Sequence, residues 1–218
     1  MKNLVIAIDG PSGAGKGTIS RTLSQALGYR HIDTGAMYRA VGWKALYDGV
    51  DLDDESAVSA LAQRADLSVE GGIVLIDGHE VTRAIRTPEI DRAATRVARL
   101  PKVREVLVAL QRQLAAAGAV VMEGRDIGTV VCPDADIKIY LDASAEERAR
   151  RRVNDPAHTS GGSGQAAVAE AIAARDRSDS TRTVSPLAIA PDAVVIDTTA
   201  MSIDDVVQRV MTIVDQAR

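Results

Sequence analysis

Residues Gly10 to Thr18 read GPSGAGKGT, and no other stretch constrains the fold as much. They follow an apolar run, Leu4 to Ile8, that reads as a buried parallel strand. They lead into a helical segment, Ile19 to Leu27, with Gly28 as its stop. Strand, glycine-rich turn and helix start together make a phosphate cradle. Gly10, Gly13 and Gly15 let successive N–H groups turn inward, and the positive end of the helix adds to their field. Lys16 supplies a mobile charge for the outer phosphates of a nucleotide. The pattern GxxxxGK is complete, from Gly10 to Lys16. One feature departs from the usual form. Gly17 stands where a hydroxyl normally follows the lysine, and Thr18 comes one place later.

The 218 residues suit one domain, or one domain with an insertion. Cys132, the single cysteine, has no internal partner, which fits a reducing compartment. The apolar start is too short for a signal peptide, and no run reaches the roughly 20 apolar residues of a membrane span. A cytoplasmic protein is expected. A net charge of −4 does not suggest a nucleic-acid polymer as partner. Of 26 cationic side chains, all but Lys2, Lys16, Lys44, Lys102 and Lys138 are arginine. Arginine grips phosphate through a planar fork, although coding bias accounts for much of such an excess.

Apolar runs alternate with helical patterns, the mark of an α/β parallel sheet. Tyr29 to Asp33 reads as a second strand. A helix follows to Asp48, with Thr34 able to cap it and Gly49 as its stop. Asp51 to Leu100 breaks the alternation. A helix to Ala65 leads into three short strands, Leu67–Glu70, Ile73–Ile76 and His79–Val81, joined by Gly71-Gly72 and Asp77-Gly78 turns. This reads as an insertion carrying a small antiparallel meander. Helices are expected over 88–100 and 101–118. Core strands are expected at 119–122, 136–141 and 193–197, with Ser144 and Ser202 capping the helices that follow the last two. The Gly- and Ser-rich stretch from Pro156 to Gly164 reads as a mobile loop, followed by a helix from Gln165 to Asp179.

Charged residues gather just after the strand ends, where open α/β sheets bind ligands. Asp33 and Thr34 follow the second strand, and Glu123 to Asp126 end the third core strand. Arg175, Arg177 and Arg182 bracket Asp179. Cations spread along a polyphosphate are what phosphoryl transfer requires. No Ser-His-Asp order or metal-ligand spacing competes. His31, His79 and His158 are scattered and read as surface or structural residues.

Four segments carry a resemblance: GPSGAGKGT, IDTGAMYRA (Ile32 to Ala40), EGRDIGTVVCPDADIKIYLDAS (Glu123 to Ser144) and RDRSDSTRTVSPL (Arg175 to Leu187). Together they resemble the bacterial cytidylate kinase family over nearly the whole chain. The first segment alone would indicate only a nucleotide kinase. The resemblance implies a five-stranded parallel sheet of the P-loop NTPase type, flanked by helices. Residues 1–50 and 101–218 would form the core, residues 51–100 the monophosphate-binding insertion, and residues 151–164 a short lid. It implies transfer of the γ-phosphate of ATP to CMP or dCMP with Mg²⁺, by a monomer.

Carried over by position, Lys16, Arg125, Arg182 and Glu123 form the catalytic set. Gly10, Pro11, Ser12, Gly13, Ala14, Gly15, Lys16, Gly17 and Thr18 hold ATP. Arg148, Arg151 and Arg152 join them, with pairing to Glu146 or Glu147 as the plain alternative. Arg39, Arg125 and Arg182 hold the acceptor phosphate. Thr34 lies beside them, and Arg175 and Asp179 meet the sugar. Thr95, Arg104 and Asp126 read the cytosine edge, with acceptors for the amine and a donor for the ring nitrogen and carbonyl. No residue ligates the metal directly in this reading; phosphates and water hold it, near Glu123. Two alternatives stand beside it: a kinase for another acceptor such as UMP, AMP or shikimate, and a regulatory module that binds nucleotide without transferring phosphate.

Overall fold

The computed structural model describes residues 3–155 and 164–217. Most of the expected lid, residues 156–163, lies outside them, and so does His158.

Five strands form one parallel sheet. They are β1 (Val5–Asp9), β2 (Arg30–Asp33), β6 (Val120–Gly124), β7 (Ile137–Asp142) and β8 (Val194–Asp197), in the order β2-β6-β1-β7-β8. The apolar runs of the central strands β6, β1 and β7 are buried on both faces, as a helix-covered parallel sheet requires, while edge strand β8 exposes Val194 and Val195. On one face, Leu4, Ile6 and Ile8 pack with Leu23 of α1 (Lys16–Leu27) and Val210 of α8 (Ile203–Ala217). On the other, Ala7 and Met122 meet α2 (Thr34–Tyr47) and α5 (Pro101–Ala115).

Residues 51–100 hold α3 (Glu55–Arg64), α4 (Pro88–Val97) and a three-stranded antiparallel sheet. Its strands are β3 (Leu67–Glu70), β4 (Ile73–Ile76) and β5 (His79–Glu80). Val58, Val74, Ile76, Ile85 and Ile90 share one continuous apolar cluster with Met37 and Val41 of α2. The contact between α2 and α4 is close. A Cβ on Gly42 would lie 3.2 Å from both the Ala93 Cβ and the Ala94 nitrogen.

Several boundaries differ from the sequence reading. The cap of α2 is Asp33, which accepts from the Ala36 N–H at 2.9 Å. Thr34 turns instead to the Glu123 carbonyl at 2.7 Å, tying the end of β2 to β6. In α3 the cap is Asp54, so the helix starts later than Asp51. A π-helical turn, Ile127–Val131, follows β6 where no element was expected. Its carbonyl from Asp126 accepts from both Val130 and Val131. The remaining helices are α6 (Ala145–Val153) and α7 (Gln165–Thr181).

Candidate active site

The loop after β1 is as tight as its glycines predict. A Cβ at Gly10 would fall 2.0 Å from the Leu141 carbonyl oxygen, and one at Gly13 2.8 Å from that of Arg148. Both glycines also have positive φ, so other residues are excluded by space and by strain. Gly15, with φ 90°, opens α1 without a side-chain cap, leaving the first N–H groups of the helix free for an anion. Lys16 is buried beside them, with Nζ 2.7 Å from the Pro11 carbonyl. Burial and the nearby Arg125 pull its pKa well below that of a free lysine. The negative charge of an incoming polyphosphate would offset both effects.

The loop opens on a cavity of about 650 Å³. Ser12 to Ile19 line one side, and Asp33, Arg39, Arg86, Glu123, Arg125 and Arg175 also face it. Arg39 donates to Asp33 Oδ2 at 2.7 Å, and Arg86 approaches the same oxygen at 3.4 Å. Burial opposes a charge on Asp33, yet Arg39, Arg86 and the Ala36 N–H hold its carboxyl below the usual range. Arg125 reaches Asp179 Oδ2 at 2.9 Å. Burial disfavours its charge, but Asp179 more than restores it. Arg175 reaches Asp91 Oδ1 at 2.9 Å, joining α7 to α4.

Of the four arginines of α6, the three expected to meet ATP divide. Arg151 and Arg152 line the cavity. Arg151 is held by Glu147 at 2.7 Å and by the Thr198 carbonyl at 2.7 Å, and Arg152 donates to the Ser12 hydroxyl at 2.9 Å. Arg148 does not line the cavity. It donates to the Ser12 carbonyl at 3.0 Å and pairs with Asp176, which itself accepts from the Ser12 N–H at 3.1 Å. Arg148 therefore braces the cradle from outside.

The residues expected to read a base sit deeper. Asp126 pairs with Arg104 through Oδ2 and with Arg182 through Oδ1 at 3.3 Å, all three buried. The Arg104 guanidinium also lies 5.4 Å from the Tyr38 ring centroid. Thr95 donates its hydroxyl to the Asp91 carbonyl at 2.8 Å. None of Thr95, Arg104, Asp126, Asp179, Arg182 or Thr34 lines the cavity described above.

Sequence reasoning missed Arg86, which carried no signal beyond its place after the meander. It missed the bracing role of Asp176, although Asp176 lies inside a quoted motif. It also missed Asp9, whose carboxylate accepts from the N–H groups of Ile127 at 2.9 Å and Gly128 at 2.7 Å. Burial raises the Asp9 carboxyl to about 6 despite those two bonds. His31, taken as structural, stands 2.9 Å from Glu123 Oε1 at the edge of the site. His79 does pack at the surface, against Trp43 and Tyr47.

The sequence profile of the family described as cytidylate kinase matches residues 6–216. The chain belongs to the cytidylate kinase family. Among its relatives, the cytidylate kinase of Pelotomaculum thermopropionicum is 50% identical over 218 residues, covering 98% of this chain and 96% of that protein. The cytidylate kinase of Geobacillus kaustophilus is 48% identical, covering 99% of this chain and 98% of its own length. Solved structures extend the likeness of fold beyond the cytidylate kinases. A shikimate kinase from Bacteroides thetaiotaomicron gives a TM-score of 0.53 at 12% identity, covering 97% of this chain and 98% of that one. A gluconokinase from Sinorhizobium meliloti gives 0.51 at 14%, covering 96% and 90%. The shikimate kinase and the gluconokinase thus share the fold of this chain.

Proposed function

We propose that the chain transfers the γ-phosphate of ATP to CMP or dCMP, giving CDP or dCDP, as a monomer in the cytoplasm. The carrying observation is that one cavity joins a phosphate cradle to a second arginine set, Arg39, Arg86, Arg125 and Arg175. A module that only binds ATP has no use for the second set. Family membership narrows the acceptor to the substrate that names its relatives.

In this reading Gly10 to Thr18 hold the ATP phosphates, with Arg151 and Arg152 closing on them from α6. The Lys16 ammonium stays with the transferring group and stabilises its developing charge. Arg39, Arg125 and Arg182 fix the acceptor phosphate, and Arg175 and Asp179 meet the sugar. Each carboxylate oxygen accepts more than one hydrogen bond, so Asp126 can keep Arg104 and still accept from the cytosine amine. Thr95 can likewise donate to Asp91 and accept from the same amine.

The insertion, residues 51–100, serves as the acceptor-side wall. A divalent cation fits the donors at hand, because the Glu123 carboxylate faces the backbone at Gly17 and hard oxygen ligands suit Mg²⁺. When bound with ATP, Mg²⁺ would neutralise charge on the β- and γ-phosphates.

An ADP-release assay with ATP and a panel of CMP, dCMP, UMP, AMP and shikimate tests the reading. Turnover of CMP and dCMP well above the others is expected. A preference for UMP would move the acceptor assignment, and ATP binding without turnover of any acceptor would favour a binding module.

A further inference from the structure

His31 and Glu123 are joined across two neighbouring strands, and Gly17 faces them from α1. A Cβ on Gly17 would lie 3.4 Å and 3.7 Å from the two carboxylate oxygens of Glu123. The carboxylate therefore occupies the flank of the helix start from which a hydroxyl would project after the lysine. From its other side, Glu123 Oε1 meets His31 Nε2 at 2.9 Å. Both side chains are largely buried, at 12% and 8% exposure. Paired in register, Asp33 and Glu123 set the two strand ends side by side, and His31 precedes Asp33 by two residues on the same face of β2.

We propose that His31 is a positioning residue for the divalent cation that accompanies ATP. This rests on the kinase reading above. A glutamate has three side-chain torsions, so its carboxylate can swing away from the cradle. A bond from the imidazole N–H to Oε1 selects the rotamer that lies against Gly17. Oε2 then remains for a cation-bound water or the cation itself. The long glutamate arm, held by the ring, does for this chain what a hydroxyl at position 17 would otherwise do. Outer partners of this kind tune metal affinity by about 10- to 100-fold. A merely structural His31 would tie β2 to β6 and leave cation affinity untouched.

The test uses the full-length protein, Mn²⁺ as the probe and a non-hydrolysable ATP analogue. Free Mn²⁺ is followed by electron paramagnetic resonance. His31→Phe keeps a ring and removes the donor; the Kd for Mn²⁺ in the ternary complex should rise about tenfold. His31→Gln keeps an N–H donor and should stay within about twofold of wild type. Affinity for the metal-free analogue should not change in either. Wild-type Mn²⁺ affinity in His31→Phe overturns the proposal, and so does an equal loss in His31→Gln. Circular dichroism checks folding, and His31→Leu replaces His31→Phe if the latter does not fold. The readout is independent of the acceptor, so a wrong acceptor assignment would leave this result standing.

Discussion

Asp126 and Arg104 form an ion pair with almost no solvent contact, Arg104 being 2% exposed. The pair brings the end of β6 to the first turn of α5. Removing one partner leaves a charge buried alone, which typically costs 3–5 kcal/mol of stability. Asp126→Ala should therefore lower the unfolding midpoint as well as activity, and Asp126→Asn should spare more of the fold. On CMP, kcat/KM should drop by on the order of 10² to 10⁴, the range for sites that read a hydrogen-bonding group. On UMP the loss should be far smaller, because in the proposed reading the Asp126 carboxylate would face the uracil carbonyl acceptor to acceptor. Steady-state kinetics with both acceptors check this, and an unchanged CMP to UMP ratio would assign base reading to other residues.

Lys16→Met should leave the fold intact, since among the described residues the side chain makes one hydrogen bond, to the Pro11 carbonyl. In the proposed mechanism it removes the charge that stays with the transferring group, so kcat should fall by on the order of 10² to 10³. Turnover at saturating substrates, with a native circular dichroism spectrum, is the measurement. Wild-type kcat would remove Lys16 from the chemistry.

Arg148 should act on ATP affinity and not on turnover. Its guanidinium holds the Ser12 carbonyl, and its partner Asp176 holds the Ser12 N–H. Loss of a charge-assisted bond of about 1.5 kcal/mol should raise the KM for ATP about tenfold in Arg148→Ala. The KM for CMP should move little. A kcat loss as large as that of Lys16→Met would mean that Arg148 touches the phosphates directly.

Asp9 should make stability depend on pH. Its carboxyl titrates at about 6 in the folded chain against 3.8 when free. Between those values the folded state holds a proton that the unfolded state has released. Acidification through that window therefore favours folding by this group, and ionisation above pH 6 costs up to about 3 kcal/mol. Asp9→Asn removes the dependence. Urea unfolding at pH 7 and pH 4 should show wild type gaining most of that amount relative to the variant on acidification. A difference that stays constant with pH would show that Asp9 is not titrating there.

The cradle was legible because its demands are local: a glycine for each close approach, and a lysine at the helix start. The central strands β1 and β6 were legible because they are apolar until their last residues. What escaped depends on contacts between distant segments. Nothing in the sequence around Asp176 says that it would meet Ser12, and nothing near His31 points to Glu123. The Asp33 cap was missed because its neighbour Thr34 is an equally good capping residue. Only the fold shows that Thr34 spends its hydroxyl on β6. The π-helical turn after Asp126 follows from the Asp9 carboxylate catching two amides, a long-range event that periodicity cannot reveal.

Gly42 bears on how such kinases can be re-engineered. With 3.2 Å between its missing side chain and Ala93, α2 and α4 fit as a matched pair. Asp91, two residues before Ala93, holds Arg175 on the opposite wall. Transplanting residues 51–100, the acceptor wall proposed above, from a relative with another substrate would thus carry in a foreign surface against α2. Unless the complementary stretch of α2 travelled with it, the mismatch would shift Asp91 and disturb an arginine outside the grafted segment. The two helices therefore behave as one packed unit, and its pieces lie on either side of residue 50.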